Sequence, residues 1–270
     1  MLIKPNLTPL LSPRERVLHR ALIGLWVLAT LWFWTWWLRP EHVEYWPRFL
    51  IVSVLIGWIT FLQAFFITFY IRAVRSSAPD PVPGSLRVAM VVTKTPSEPF
   101  AILRRTLEAM LAQDSPHDTW IADEAPTQET LEWCQKHGVF VSSRQGVADY
   151  HRQTWPRRTR CKEGNLAYFY DHWGYELYDV VCQLDADHVP QDGYLTEMLR
   201  PFADPDVGYV SAPSICASNG QQNWAARTRL HTEGGFHGIL QAGYSNGLAP
   251  MCIGSHYAVR TKALRDVGGL

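Results

Sequence analysis

The chain has 270 residues with 25 basic and 25 acidic side chains, so no global field draws in nucleic acid, and nucleic acid is excluded as a partner. Its length suits one substantial domain plus extra elements. Five cysteines without a CxxC pair exclude a disulfide framework or a zinc ribbon and predict free, buried thiols in a reducing compartment.

Ala21–Leu38 and Phe49–Ile71 carry no charge. Each approaches the roughly 20 residues that cross a bilayer as a helix. No small-residue cleavage site follows the first run, which argues against a signal peptide. The 12 Trp cluster toward the N-terminus, and Trp32, Trp34, Trp36, Trp37, Tyr45 and Trp46 form an interfacial belt. The expectation is a tail over 1–16 and a transmembrane hairpin over 17–72, with spans at about 21–38 and 49–71. Lys4, Arg14, Arg16 and Arg20 precede the first span, and Arg72 and Arg75 follow the second. Positive residues stay inside, so both termini face the cytosol of a multi-pass inner or plasma membrane protein.

A Pro-rich linker over 73–85 follows, which neither a helix nor a central strand tolerates. From Leu86 strands and helices alternate. Strands are predicted at Leu86–Thr93, Trp120–Ala122, Val139–Ser142 and Val207–Ala212. Helices are predicted at Phe100–Gln113, Thr127–His137 closed by Gly138, Lys162–Trp173 ended by Gly174, Gly193–Phe202 and Asn223–Gln241. This alternation means an α/β domain over 86–270 with a mostly parallel, Rossmann-like sheet and right-handed crossovers.

The stretch Val180–His188 is a buried apolar strand ending in Asp185 and Asp187. On an extended chain, side chains two apart share a face, so the two acids converge at the strand tip. A divalent cation that also holds substrate phosphates relieves their repulsion; Mg2+ or Mn2+ suits such hard oxygens. The alternative is a solvated strand end. Asp204-Pro205-Asp206 repeats the pattern at a strand entrance, whereas ligands collect at strand exits. His188 should point to the opposite face, and no His pair has metal-ligand spacing. Lys162 opens a helix, where it disfavours the dipole but suits an anion met together with the free N–H groups of Gly164 and Asn165. A solvated lysine is the alternative. The basic cluster Arg152–Lys162 suits lipid head groups, a diphosphate or a solvated loop.

In this order the features resemble the family 2 inverting glycosyltransferases of GT-A fold, in the membrane-embedded branch that includes cellulose and hyaluronan synthases. The resemblance covers Leu86 to Leu270 and rests on short motifs in sequence. Val91–Glu98 is similar to the first-strand exit that grips base and ribose, which implies donor roles for Thr95 and Glu98; Glu98 equally suits the first turn of the next helix. Asp123 is similar to the base-reading acid, with Glu124-Ala125 in place of the common Asp-Gly; helix flanking is the alternative. Lys162-Glu163-Gly164-Asn165 resembles the Lys-Ala-Gly-Asn beside the diphosphate. Asp185 and Asp187 match the donor and metal motif. Gly254, Ser255 and His256 resemble the acceptor-side segment, although His256 also reads as structural.

The resemblance implies a hexosyltransferase taking a nucleotide-sugar donor, UDP-glucose by preference, to a growing β-glycan acceptor in polysaccharide biosynthesis. It also implies an accessory synthase subunit. In that family the general base and a Gln-x-x-Arg-Trp motif come after the Gly-Gly segment. The chain as given is therefore expected to be an N-terminal portion, or a short form with little transfer of its own. The rivals are a non-processive enzyme making a lipid-linked sugar and a non-catalytic nucleotide-sugar-binding membrane subunit.

Overall fold

The computed structural model describes residues 6–215, 217–248 and 250–270, and it divides into two compact units. The first comprises Met1–Ser76 with Ile215–Met251. Strand β1 (Leu7–Pro9) leads into helix α1 (Pro13–Trp37), which starts on a capping box: Ser12 accepts from the Glu15 N–H, and Glu15 accepts from the Ser12 N–H. Helix α2 (Trp46–Tyr70) follows after a short turn. Both helices are long and apolar enough to cross a membrane. Indole donors bridge them: Trp26 Nε1 reaches Gln63 Oε1 at 3.1 Å, and Trp37 Nε1 reaches Ser53 Oγ at 2.9 Å.

One feature of this unit departs from expectation. Strand β2 (Val74–Ser76) pairs antiparallel with β1, so the start of the Pro-rich stretch and part of the N-terminal tail form a small sheet. The helix α8 (Trp224–Glu233) runs through a π-helical stretch (Gly234–Leu240) into α9 (Gln241–Tyr244), which packs on the end of α2. Arg72 and Asn246 clasp each other there, each side chain bonding the other's carbonyl at 2.9 and 3.2 Å.

The second unit comprises Ser77–Ser214 with Cys252–Leu270. Its strands are β3 (Val88–Lys94), β4 (Asp118–Asp123), β5 (Phe140–Ser143), β6 (Val180–Asp185), β7 (Tyr209–Ser211) and β8 (Tyr257–Arg260). They order as β5-β4-β3-β6-β8-β7, with β5, β4, β3 and β6 parallel and β8 antiparallel to both β6 and β7. β8 is a strand the periodicity did not announce: four residues between a Gly-Ser turn and a helix. The central strands are buried on both faces, as a parallel sheet covered by helices requires. Val88, Met90 and Val92 face one apolar cluster, and Ala89 and Val91 face the other.

Helix α3 (Phe100–Leu111) buries Leu103, Thr106, Leu107 and Met110 on one stripe. Helix α4 (Gln128–His137) is capped by Thr127 and closed by Gly138 in the left-handed conformation. Helix α5 (Lys162–Phe169) does not stop at Gly174. It passes through a π-helical turn (Tyr170–Gly174) into α6 (Tyr175–Leu177). Glycine is needed at 174 for packing, since a Cβ there would stand 2.7 Å from Tyr170 Cδ1. Gly193, with φ +76°, precedes α7 (Tyr194–Leu199) rather than belonging to it. The last helix is α10 (Thr261–Asp266). Cys134 and Cys182 are buried free thiols, but Cys252 is exposed and Cys161 half-buried, which corrects the expectation of uniform burial; Cys216 lies outside the described residues.

Candidate functional site

The C-terminal ends of β3, β4, β5 and β6 share one edge of the sheet. Register sets Thr93 beside Asp185, Lys94 beside Asp123, and Asp123 beside Ser143. Because β8 runs the other way, its entrance, Ser255–His256, meets the same edge. β4 and β6 flank β3 on opposite sides, so the chain leaves β3 toward one side and returns on the other. That switch point is where open α/β sheets bind ligands.

At the tip of β6 the strand ends on Asp185, and Asp187 lies in a turn closed by the His188 N–H on the Asp185 carbonyl at 3.0 Å. Strand alternation therefore stops before Asp187, which corrects the expectation that an extended chain aligns the two acids. Thr106 of α3 donates to the Ala186 carbonyl at 2.7 Å and pins this turn from below. Lys162, at the start of α5, places Nζ 2.9 and 3.1 Å from the two Asp185 oxygens, and Gln183 Nε2 adds a 3.3 Å contact. The Lys162 side chain is 40% exposed and that of Asp185 27%, so this pair is reachable from solvent. Asp187 is 74% exposed and meets only His188 Nε2, at 3.9 Å, among the ion pairs of the described residues.

His188 does not turn away from the site. Its Nε2 is 3.5 Å from Ser214 Oγ, and its ring is 5.3 Å from that of His256. Ser255 and His256 are buried and bonded to each other at 2.7 Å, and His256 holds φ +46°. Of the predicted acceptor-side trio only Gly254 is exposed. A Cβ on it would stand 3.6 Å from Lys162 Cε and Nζ, which puts this backbone beside the lysine.

Thr95 and Glu98 close the turn after β3. Glu98 Oε2 accepts from the Thr95 N–H at 2.6 Å and from its hydroxyl at 3.0 Å. Asp123 is fully buried and paired with Lys94 Nζ at 3.1 Å. The sequence offered no sign of that pair, which comes from the β3–β4 register.

Two expectations about the α5 entrance are corrected. The Gly164 N–H is not free for an anion; it donates to the Cys161 carbonyl at 3.1 Å. The cluster Arg152–Lys162 is not merely solvated, because Arg157 bonds Asp171 at 2.8 Å and stacks on Tyr150. Asn165 ties α5 to the sheet edge, donating to the carbonyls of Lys94 at 2.9 Å and Ala122 at 3.2 Å. Asp204-Pro205-Asp206 is a structural turn: Asp204 Oδ1 accepts from the Asp206 N–H at 2.9 Å.

No group of three or more His, Cys, Asp or Glu gathers among the described residues as an all-protein metal cage. An exposed carboxylate at 187, two residues past the partly exposed one at 185, fits a different arrangement. Mg2+ or Mn2+ commonly takes one or two carboxylates and completes its shell with water and substrate phosphates.

Residues 91–268 match the family model for glycosyl transferase family 2. Over 202 residues the chain is 27% identical to the Cellulose synthase 1 catalytic subunit [UDP-forming] of Komagataeibacter xylinus, a match covering 71% of this chain and 25% of that protein. It is 26% identical, over the same shares, to the Cellulose synthase catalytic subunit [UDP-forming] of Komagataeibacter sucrofermentans. The aligned stretch thus amounts to about a quarter of the length of these curated relatives. Among solved structures it is similar to a mannosyltransferase from Pyrobaculum calidifontis in complex with GDP-Man and Mn2+. The TM-score is 0.59 at 18% identity, covering 81% of this chain and 57% of that one, which supports a GT-A-like fold. Since the family match spans well over half of the chain, the protein belongs to glycosyl transferase family 2.

Proposed function

We propose that the chain carries the donor site of a membrane-bound hexosyltransferase that moves glucose from UDP-glucose to a growing β-glycan with inversion. The observation that carries this reading is the Lys162–Asp185 pair at the β3/β6 switch point, with the exposed Asp187 two residues on. The cellulose synthase relatives are UDP-forming, which favours a UDP donor.

In this reading Lys162 meets the diphosphate, because an ammonium with three donors serves Asp185 and a phosphate oxygen together. Asp187, with Asp185 beside it, would hold Mg2+ or Mn2+. Such an ion, when bound, neutralises the charge that builds on the departing nucleoside diphosphate. Thr95 and Glu98 border the ribose, and Asp123 with Lys94 forms the floor under the base. Gly254 leaves room for the acceptor beside Lys162, with Ser255 and His256 supporting that backbone from the interior. The acceptor oxygen bonds to the anomeric carbon from the face opposite UDP as the bond to the phosphate oxygen breaks. An α-linked donor then yields a β-glycoside, and a general base takes the hydroxyl proton. Helices α1 and α2 are the membrane hairpin of this reading, with the catalytic unit cytosolic where UDP-sugars are supplied.

Calorimetric titration of UDP into the chain, with and without Mn2+, tests the proposal. Metal-dependent heat that disappears in Asp187→Ala is expected, with competition by UDP-glucose over UDP-N-acetylglucosamine. Heat that ignores both the metal and Asp187→Ala would instead favour a non-catalytic assembly subunit.

A further inference from the structure

Arg144, one residue past β5, has 1% of its side chain exposed and lies beside Glu124, one residue past β4. An arginine has five N–H groups in a planar fork, and here four hydrogen bonds leave it while its charge faces the Glu124 carboxylate. Nε donates to Asn165 Oδ1, and Nη1 donates to the carbonyls of Tyr150 and Arg158. Nη2 donates to the Cys161 carbonyl at 3.0 Å and lies 3.2 Å from Glu124 Oε2. Every backbone partner is in the segment that ends at Lys162, and Asn165 is in the first turn of α5.

Carboxylates hold the same segment from its donor side. Glu163 accepts from the N–H groups of Arg157 and Arg158 at 2.7 and 3.2 Å. Glu124 accepts from the Thr159 hydroxyl and the Arg160 N–H, both at 3.1 Å. Arg157 and Arg160 hold φ +65° and +51°, a region that non-glycine residues keep only where the surroundings impose it. Gly164 makes room for the fork, since a Cβ there would meet Arg144 Nη1 at 2.1 Å.

We propose that Arg144, backed by Glu124, is the positioning residue of the donor site: it shapes the segment 150–161 and thereby sets where Lys162 stands against Asp185. This rests on the donor reading of Lys162. An ion pair serving stability alone has no reason to spend its hydrogen bonds on the carbonyls of residues 150, 158 and 161, all in the one segment that leads to a functional side chain. A ligand-binding group held loosely loses much of its effect, so the rigidity belongs where Lys162 begins.

The test is a double-mutant cycle on the whole chain, with UDP titrated calorimetrically in Mn2+. Arg144→Lys keeps the charge and removes the fork, and it should weaken UDP binding about tenfold. In a Lys162→Ala background the same substitution should cost nothing further, because its effect runs through Lys162. UDP binding unchanged in Arg144→Lys, or the same factor lost again without Lys162, overturns the proposal. Should Arg144→Lys fail to fold, Glu124→Gln enters the same cycle with the same expectations. Trypsin provides a ligand-free readout: the segment 150–161 should resist cleavage in the wild type and yield in Arg144→Lys. Resistance in both disproves the bracing itself. A wild-type chain that binds no UDP, yet shows this protease difference, sinks the donor reading and the positioning role with it.

Discussion

Lys162 Nζ sits between the two carboxylate oxygens of Asp185, at 2.9 and 3.1 Å, at the exit of β6. A lysine at a helix N-terminus works against the helix dipole, so Asp185 is what makes the position tolerable. The same carboxylate masks the charge a diphosphate would seek. Asp185→Ala should therefore strengthen metal-free UDP binding a few-fold, or about 1 kcal/mol at most for so exposed a pair, while weakening the Mn2+-dependent component. Calorimetry with and without Mn2+ reads both signs, and a loss in both would show that Asp185 does not mask Lys162.

The Lys94–Asp123 pair is almost wholly buried. Removing one partner strands the other charge, so Asp123→Ala should cost about 3–5 kcal/mol in urea unfolding. Replacing both, Lys94→Met with Asp123→Leu, should recover most of that. If Asp123→Asn alters nucleotide preference at unchanged stability, the side chain turns to the base when donor binds.

Gly243 and Gly235 lie on the same long helix, but only one is needed as glycine. A Cβ at 243 would stand 2.3 Å from the Phe69 carbonyl oxygen, whereas at 235 the nearest atom is Tyr70 Oη at 4.0 Å. Gly243→Ala should destabilise the first unit by roughly 1–3 kcal/mol, by forcing α9 off α2. Gly235→Ala should be neutral or mildly stabilising through helix propensity. Thermal unfolding of both variants in nanodiscs separates them.

Burial pushes the Cys134 thiol up to about 11 and the Cys182 thiol up to about 12, with the charge of Asp123 adding to the first. Below pH 9 both are neutral in the folded and the unfolded chain and contribute their full stabilisation. Above it the unfolded chain loses these protons first, so stability should fall between pH 9 and about 12. In native protein at pH 8, Ellman's reagent should label the exposed Cys252 while Cys134 and Cys182 stay unmodified. Fast reaction at Cys182 would mean that β6 opens.

The two apolar runs, the strand–helix alternation, the Gly138 cap and the acid-tipped β6 were legible in the amino-acid sequence. Each is written in neighbouring residues, where hydrophobic period and capping chemistry act locally. Those same signals marked Asp185, Asp187 and Lys162 as candidates. Tertiary structure alone decided the rest. The β1–β2 pair and the β3–β4 register join residues far apart in the chain, so no local pattern announces them or the Lys94–Asp123 contact that register creates. β8 is too short for periodicity to reveal. Arg144 looks like any surface arginine until the fold closes around it, because which carbonyls a guanidinium meets depends on where distant segments come to rest.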